Sequence, residues 1–171
     1  MEQFDRLFSV ATAQIGPHFF ELPIAGQNAA YRERVYCYEL YHQMRSNWPQ
    51  GPYTLNGEVD KSGHRKLREM QADRYKPDLL VHVPGDMNGN FAVIEVKPCN
   101  AAARGLRKDL QTLKLFSREV AYPRAVYLIY GFRADAAATR IHKELAGEHF
   151  PQLEIWVHRE PGSPAIKLGT S

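Results

Sequence analysis

Two apolar runs separated by seven turn-forming residues restrict this chain more than any other feature. Asp78-Leu79-Leu80-Val81-His82-Val83 and Phe91-Ala92-Val93-Ile94-Glu95-Val96-Lys97 flank Pro84-Gly85-Asp86-Met87-Asn88-Gly89-Asn90. Such runs predict two strands, and the interval predicts a hairpin connection. Pro98 lacks an N–H for the ladder and ends the second strand. Side chains alternate across a strand. Asp78, Leu80 and His82 therefore share one face of the first strand, and Glu95 and Lys97 share one face of the second. The two acids meet only if the numbers of directly opposed residues sum to an odd total. Pairing Asp78 with Glu95 or with Lys97 satisfies this and leaves a four-residue loop, 85–88 or 86–89. A slip of one residue would put the acids on opposite faces.

The rest of the chain supplies helices for such a hairpin. Residues 3–14 predict a short helix, and 18–22 a strand bounded by Gly16-Pro17 and Pro23. From Tyr31 to Arg45 there is no Gly or Pro, and Tyr31, Val35, Tyr38 and His42 recur at helical steps. Tyr53-Thr54-Leu55 reads as extended, and 64–73 as loop or helix. Over 101–120, Leu106, Leu110, Leu113, Phe116 or Ser117, and Val120 form one apolar face. Arg124–Tyr130 predicts a buried strand stopped by Gly131, 134–147 a helix, and Leu153–His158 a last strand. The order is helix, three strands, helix, strand, helix, strand. It implies an α/β (α+β) fold with a mixed sheet flanked by helices. The chain reads as one domain over 1–171, with an N-terminal extension at 1–30 and a loose tail from 159.

The chemistry follows from the shared face. Two carboxylates on a rigid sheet make a hard-oxygen site suited to Mg²⁺ or Mn²⁺, with water and substrate phosphate completing the shell. Such an ion polarises a phosphate and lowers the pKa of a bound water. Lys97, on the face of Glu95, is placed to steady developing negative charge.

Pro77-Asp78, then sixteen residues, then Glu95-Val96-Lys97 resembles the PD-(D/E)XK nuclease signature, and the αβββαβ order over 31–158 is similar to the restriction-endonuclease-like fold. The resemblance implies Mg²⁺-dependent cleavage of DNA phosphodiester bonds, with Asp78, Glu95 and Lys97 as the catalytic set and Asp78 and Glu95 as metal ligands. It also implies an acid from the first helix of that core. Glu39, set among Val35, Tyr38, Tyr41 and His42, fills that place, serving a second metal or orienting water.

Further candidates are weaker in kind. Glu58 and Asp60 read as strand-end charges that could add a ligand. His82 lies on the Asp78 face but reads as a half-buried polar residue. Arg104, Lys108 and Gln111 form a polar stripe at i, i+4, i+7 that would contact nucleic-acid phosphates, with Arg107, Lys114 and Arg118 adding charge nearby. The seven histidines show no HxH, HExxH or CxxC spacing, so zinc is not expected. Cys99 has no base beside it in sequence, which argues against a nucleophile. The two cysteines, Cys37 and Cys99, and the absence of a signal-like start predict a reducing, cytoplasmic setting. The net charge of +3 permits a nucleic-acid partner without demanding one, and no apolar run is long enough to span a membrane. A second reading keeps the fold without catalysis, as a module binding nucleic acid or a protein. A homodimer, or a partner that supplies targeting, fits either.

Overall fold

The computed structural model describes residues 2–58, 68–69 and 75–169. Asp60 and most of the 64–73 segment lie outside the described residues. Five α-helices are present among those described: α1 (Glu2–Ala13), α2 (Pro17–Phe20), α3 (Glu33–Ser46), α4 (Ala103–Arg118) and α5 (Ala134–Glu144). They surround a six-stranded sheet of β1 (Thr54–Gly57), β2 (Leu79–His82), β3 (Asn90–Pro98), β4 (Arg124–Tyr130), β5 (Leu153–His158) and β6 (Ile166–Lys167). The strands lie in sequence order. β1, β2 and β3 run antiparallel, β3, β4 and β5 run parallel, and β6 returns antiparallel to β5. The expected mixed α/β architecture is the one observed.

Each face of the sheet has its own core. Ala92, Ile94 and Val96 of β3 pack with Val126, Leu128 and Tyr130 of β4 under α1, α2 and α3. On the other face Leu80, Val93, Tyr127 and Ile129 meet Leu106, Leu110, Leu113 and Phe116 of α4 and Ile141 of α5. β4 is buried along its whole length because both layers rest on it. The leucine face read from the sequence of α4 is the face that is buried.

The β2–β3 register settles the geometric condition set by the alternation. Leu79 faces Ile94, Leu80 faces Val93 and Val81 faces Ala92, an odd sum that continues to Asp78 opposite Glu95. The connection is tighter than a plain loop. A 3₁₀ turn spans Met87–Gly89, the Asp86 carboxylate accepts from the Asn88 N–H at 2.9 Å, and a bulge shifts the ladder between Val81 and His82. A Cβ on Gly89 would lie 2.5 Å from the Cβ of Val83, so only glycine fits there.

Three regions differ from the sequence-based expectation. Residues 17–20 are helical rather than extended, because Pro17 starts a turn that the Glu21 N–H closes on the Pro17 carbonyl. The tail is not loose: β6 pairs with β5, and the Ala165 N–H donates to the buried Thr12 hydroxyl at 2.8 Å. The third difference concerns α3. Its buried face is Tyr36, Cys37, Leu40 and Met44, not Tyr31, Val35, Tyr38 and His42. Tyr38 is 63% exposed. Both sets keep helical spacing, and packing against Phe8, Phe20 and Tyr130 selects the one with the larger apolar content.

Nor is the N-terminal segment an appendage. Arg124, 5% exposed at its side chain, pairs with Glu154 of β5 through Nε at 2.7 Å and Nη2 at 2.6 Å, and with Asp5 of α1. Its guanidinium lies 4.5 Å from the centre of the Phe4 ring. Removing the buried cation strands the half-buried Glu154 and the more exposed Asp5, a loss of about 3 kcal/mol at the low end for broken buried pairs. Arg124→Ala is expected to lower the unfolding free energy by about 3 kcal/mol in urea titration. A loss under ~1 kcal/mol would show that α1 is held by apolar contacts alone.

Candidate active site

Asp78 sits one residue before β2, where the hairpin brings it opposite Glu95. Its Oδ2 accepts the Val96 N–H at 2.8 Å, so the backbone of β3 holds the carboxyl in place. The Glu95 side chain, 4% exposed, hydrogen-bonds the Asp78 carboxyl. Two acids in such contact share a proton. Burial pushes Asp78 up to about 6 against the pull of the Val96 N–H. Burial, and next the charge of Asp78, drive Glu95 well above the usual carboxylate range. Glu95 therefore carries the proton while Asp78 accepts it.

Lys97 stands next on the same face of β3, and two further acids grip it. Its Nζ lies 2.9 Å from Glu33 Oε2 at the first residue of α3 and 3.0 Å from Asp109 Oδ2 on α4. The Tyr127 hydroxyl donates to that same Asp109 oxygen at 3.0 Å. Tyr127 is the β4 residue opposite Glu95 in the parallel ladder, which brings the phenol onto this face. Burial works against the ammonium, but the charges of Asp109 and Glu33 outweigh it and hold Lys97 above its ordinary range. An ammonium has three N–H bonds, so one remains beyond the two acids.

The acid that α3 brings to Lys97 is thus Glu33, not Glu39. The Glu39 carboxylate accepts from Gln43 Nε2 at 2.6 Å, one turn along its own helix. The reason is the rotated face of α3. Glu33 precedes Tyr36 by three residues and Cys37 by four, which puts it on the buried stripe, whereas Glu39 lies off it. Asp109 escaped the sequence reading altogether. Its signal was present: it falls between Leu106 and Leu113 at i+3 and i−4, an acid on the apolar stripe of α4.

The remaining candidates are scattered. Glu58 meets Arg34 at 3.6 Å, both largely exposed. The His82 ring bonds Asn56 Oδ1 at 3.0 Å and approaches the Tyr122 hydroxyl, away from the acids. Arg104, Lys108 and Gln111 are exposed on α4, while Arg107 pairs with Glu144 at 3.2 Å, Lys114 with Glu148, and Arg118 with the His149 carbonyl at 2.9 Å. Cys99 is buried near Gly131, whose φ of 121° and Cβ position 2.5 Å from the Cys99 sulfur require glycine.

Among the described residues no three His, Cys, Asp or Glu side chains form a group ready to hold a metal. The donor chemistry at Asp78 and Glu95 nevertheless fits a hard divalent cation: a half-buried and a buried carboxyl pressed together, short of positive charge, with Lys97 engaged elsewhere. No helix among the described residues is long and apolar enough to cross a membrane. No protein-family model, curated protein or solved structure matches the chain.

Asp78 and Glu95, like Asp109, are raised, so at these groups the folded state binds more protons than the unfolded chain and their contribution to stability falls as pH rises. For Asp78 that window runs from its ordinary 3.8 to about 6. Glu95 extends the decline further. Glu95→Gln, which keeps a hydrogen bond to Asp78 without a second charge, is expected to flatten the decline and raise Tm by about 3 °C at pH 8 in chelator. A variant that melts below the wild type at that pH would show that the carboxyl pair is not a source of instability.

Proposed function

We propose that the protein is a Mg²⁺- or Mn²⁺-dependent phosphodiesterase of the PD-(D/E)XK nuclease type, acting on nucleic acid, with DNA the expected polymer. One observation carries this reading. The β2–β3 register opposes Asp78 and Glu95 and leaves Lys97 beside them on the same face, in the order and spacing of that signature.

Asp78 and Glu95 would hold the cation. When bound, it supplies a Lewis acid for the phosphate and a water of lowered pKa. The chain's own residues do the rest. Asp78, with its carboxyl near 6, is ionised at neutral pH and offers an anion without prior proton loss. Glu95 must release its proton as a cation arrives, so affinity should rise with pH. Lys97 keeps its charge across the physiological range and offers its third N–H to negative charge growing on phosphate oxygens. Glu33, Asp109 and Tyr127 fix where that N–H points. The exposed Arg104 and Lys108 follow directly on β3 and suit contact with flanking phosphates.

A second reading, a nuclease-fold module that binds without cutting, is favoured by the absence of a ready three-ligand group among the described residues. Calorimetric titration with Mn²⁺ separates the two. Catalysis predicts one site that Asp78→Ala abolishes, with affinity rising between pH 6 and 8; the binding module predicts none. In a nuclease assay with Mn²⁺, Asp78→Ala and Lys97→Ala are each expected to reduce cleavage by about 10²–10³-fold. Activity surviving both changes rejects the assignment. The double change Arg104→Ala with Lys108→Ala is expected to lower the salt dependence of DNA binding by about two phosphate contacts.

A further inference from the structure

A cleft of about 380 Å³ opens directly beside Asp78, between α3 and β1. Tyr38 and Tyr41 of α3 form one wall, Asn56, Gly57 and Glu58 the other, and Asp78 contributes to the lining. Two features of this cleft are left over by folding. Tyr38 is 63% exposed, a large ring with no packing role. Glu58 takes a φ of 35°, a conformation that disfavours side-chain-bearing residues, and its N–H is held by the Asp78 carbonyl at 3.0 Å.

Charge extends the same pattern along α3. Arg34, Tyr38 and Tyr41 stand at i, i+4 and i+7, one stripe of the helix. Among the described residues Arg34 pairs with Glu58 alone, at 3.6 Å, with the two side chains 70% and 53% exposed. Such a pair is weak and readily exchanged for a phosphate. An exposed aromatic face and a carboxylate acceptor in the cleft, with an exposed guanidinium one turn away on the same helix stripe, are partners a single nucleotide can use: a ring to stack, edge groups to bond and a phosphate to neutralise.

We infer that this cleft holds one unpaired nucleobase of a single-stranded nucleic acid, stacked on Tyr38 with its phosphate at Arg34, as the strand passes Asp78. The inference rests on the phosphodiesterase reading for its orientation and names the substrate class of that site. A paired base cannot enter, because its faces are covered by neighbouring bases and its edge by its partner. The volume lies near the lower end of the roughly 300–1,000 Å³ of small-molecule sites, which suits one nucleotide rather than a helix end.

The test is fluorescence anisotropy with labelled 12-nucleotide strands in Ca²⁺: single-stranded DNA, single-stranded RNA of the same sequence, and the DNA duplex. At least one single strand is expected to bind about ten-fold or more tightly than the duplex. Tyr38→Ala is expected to lose about ten-fold of that affinity, and Tyr38→Trp to retain it. Thermal melting checks that both variants fold, as exposure of the ring leads one to expect. Duplex binding as tight as single-strand binding, an unchanged affinity in Tyr38→Ala, or no binding of any oligonucleotide overturns the inference. Hydrolysis of bis(p-nitrophenyl) phosphate in Mn²⁺ reports the catalytic reading separately, since Asp78→Ala should abolish it whether or not Tyr38 stacks a base. Tyr38-dependent binding without that hydrolysis defeats the catalytic reading alone.

Discussion

The ammonium of Lys97 is the charge on which the arrangement around the sheet depends. It lies between a carboxylate that begins α3 and another in the middle of α4, so it ties helices from both layers to the end of β3. Four acids surround it in sequence terms: Glu33, Asp78, Glu95 and Asp109. Coulomb repulsion among ionised carboxylates in a partly desolvated setting is severe, and the protein answers it in two ways. Lys97 neutralises the outer pair, and a retained proton on Glu95 relieves the inner one. Buried ion pairs of this kind are poor sources of stability but strict about geometry, because each partner's removal leaves the other stranded.

The division of labour follows the direction of the strands. β3 runs parallel to β4 and β5, and Glu95 and Lys97 lie toward its C-terminal end. That end of a parallel sheet is where chain turns into helix, leaving a crevice in which side chains from several elements meet. The antiparallel β2 brings Asp78 to the same place from the opposite direction. A hairpin and a crossover are thus both needed, the first to oppose two acids and the second to bring Asp109 and Tyr127 over them.

How much of this could be read from the chain alone depended on the period of each element. The hairpin was readable because a strand has a period of two and only two outcomes: the acids meet or they part. The long helix 103–118 was readable because its leucines leave one choice of face. In α3 the spacing was ambiguous. Tyr31, Val35, Tyr38 and His42 repeat as well as Tyr36, Cys37, Leu40 and Met44 do, and aromatic residues populate both stripes. Choosing the wrong stripe carried Glu39 toward the site and Glu33 away from it. Asp109 was hidden by the convention that acids mark the wet side of a helix. An acid on a dry stripe needs a partner, and its partner, Lys97, lies twelve residues earlier on another element. The strand expected at 18–22 failed for a local reason, the pre-set φ of Pro17.

One consequence concerns the order in which the chain can complete itself. α1 precedes the other described elements, yet its fixed partners lie far along the chain: Asp5 waits for Arg124, and Thr12 bonds Ala165 across a separation of 153 residues. A helix of twelve residues has little stability on its own. On a translating ribosome its apolar stripe of Phe4, Leu7, Phe8 and Ala11 therefore stays without its final cover until Ala165 has emerged. The half-built sheet would be the exposed species, with one layer laid down early and the other closed by residues 153 positions apart. Closure of that second layer is a non-local event, and such events set the pace of folding.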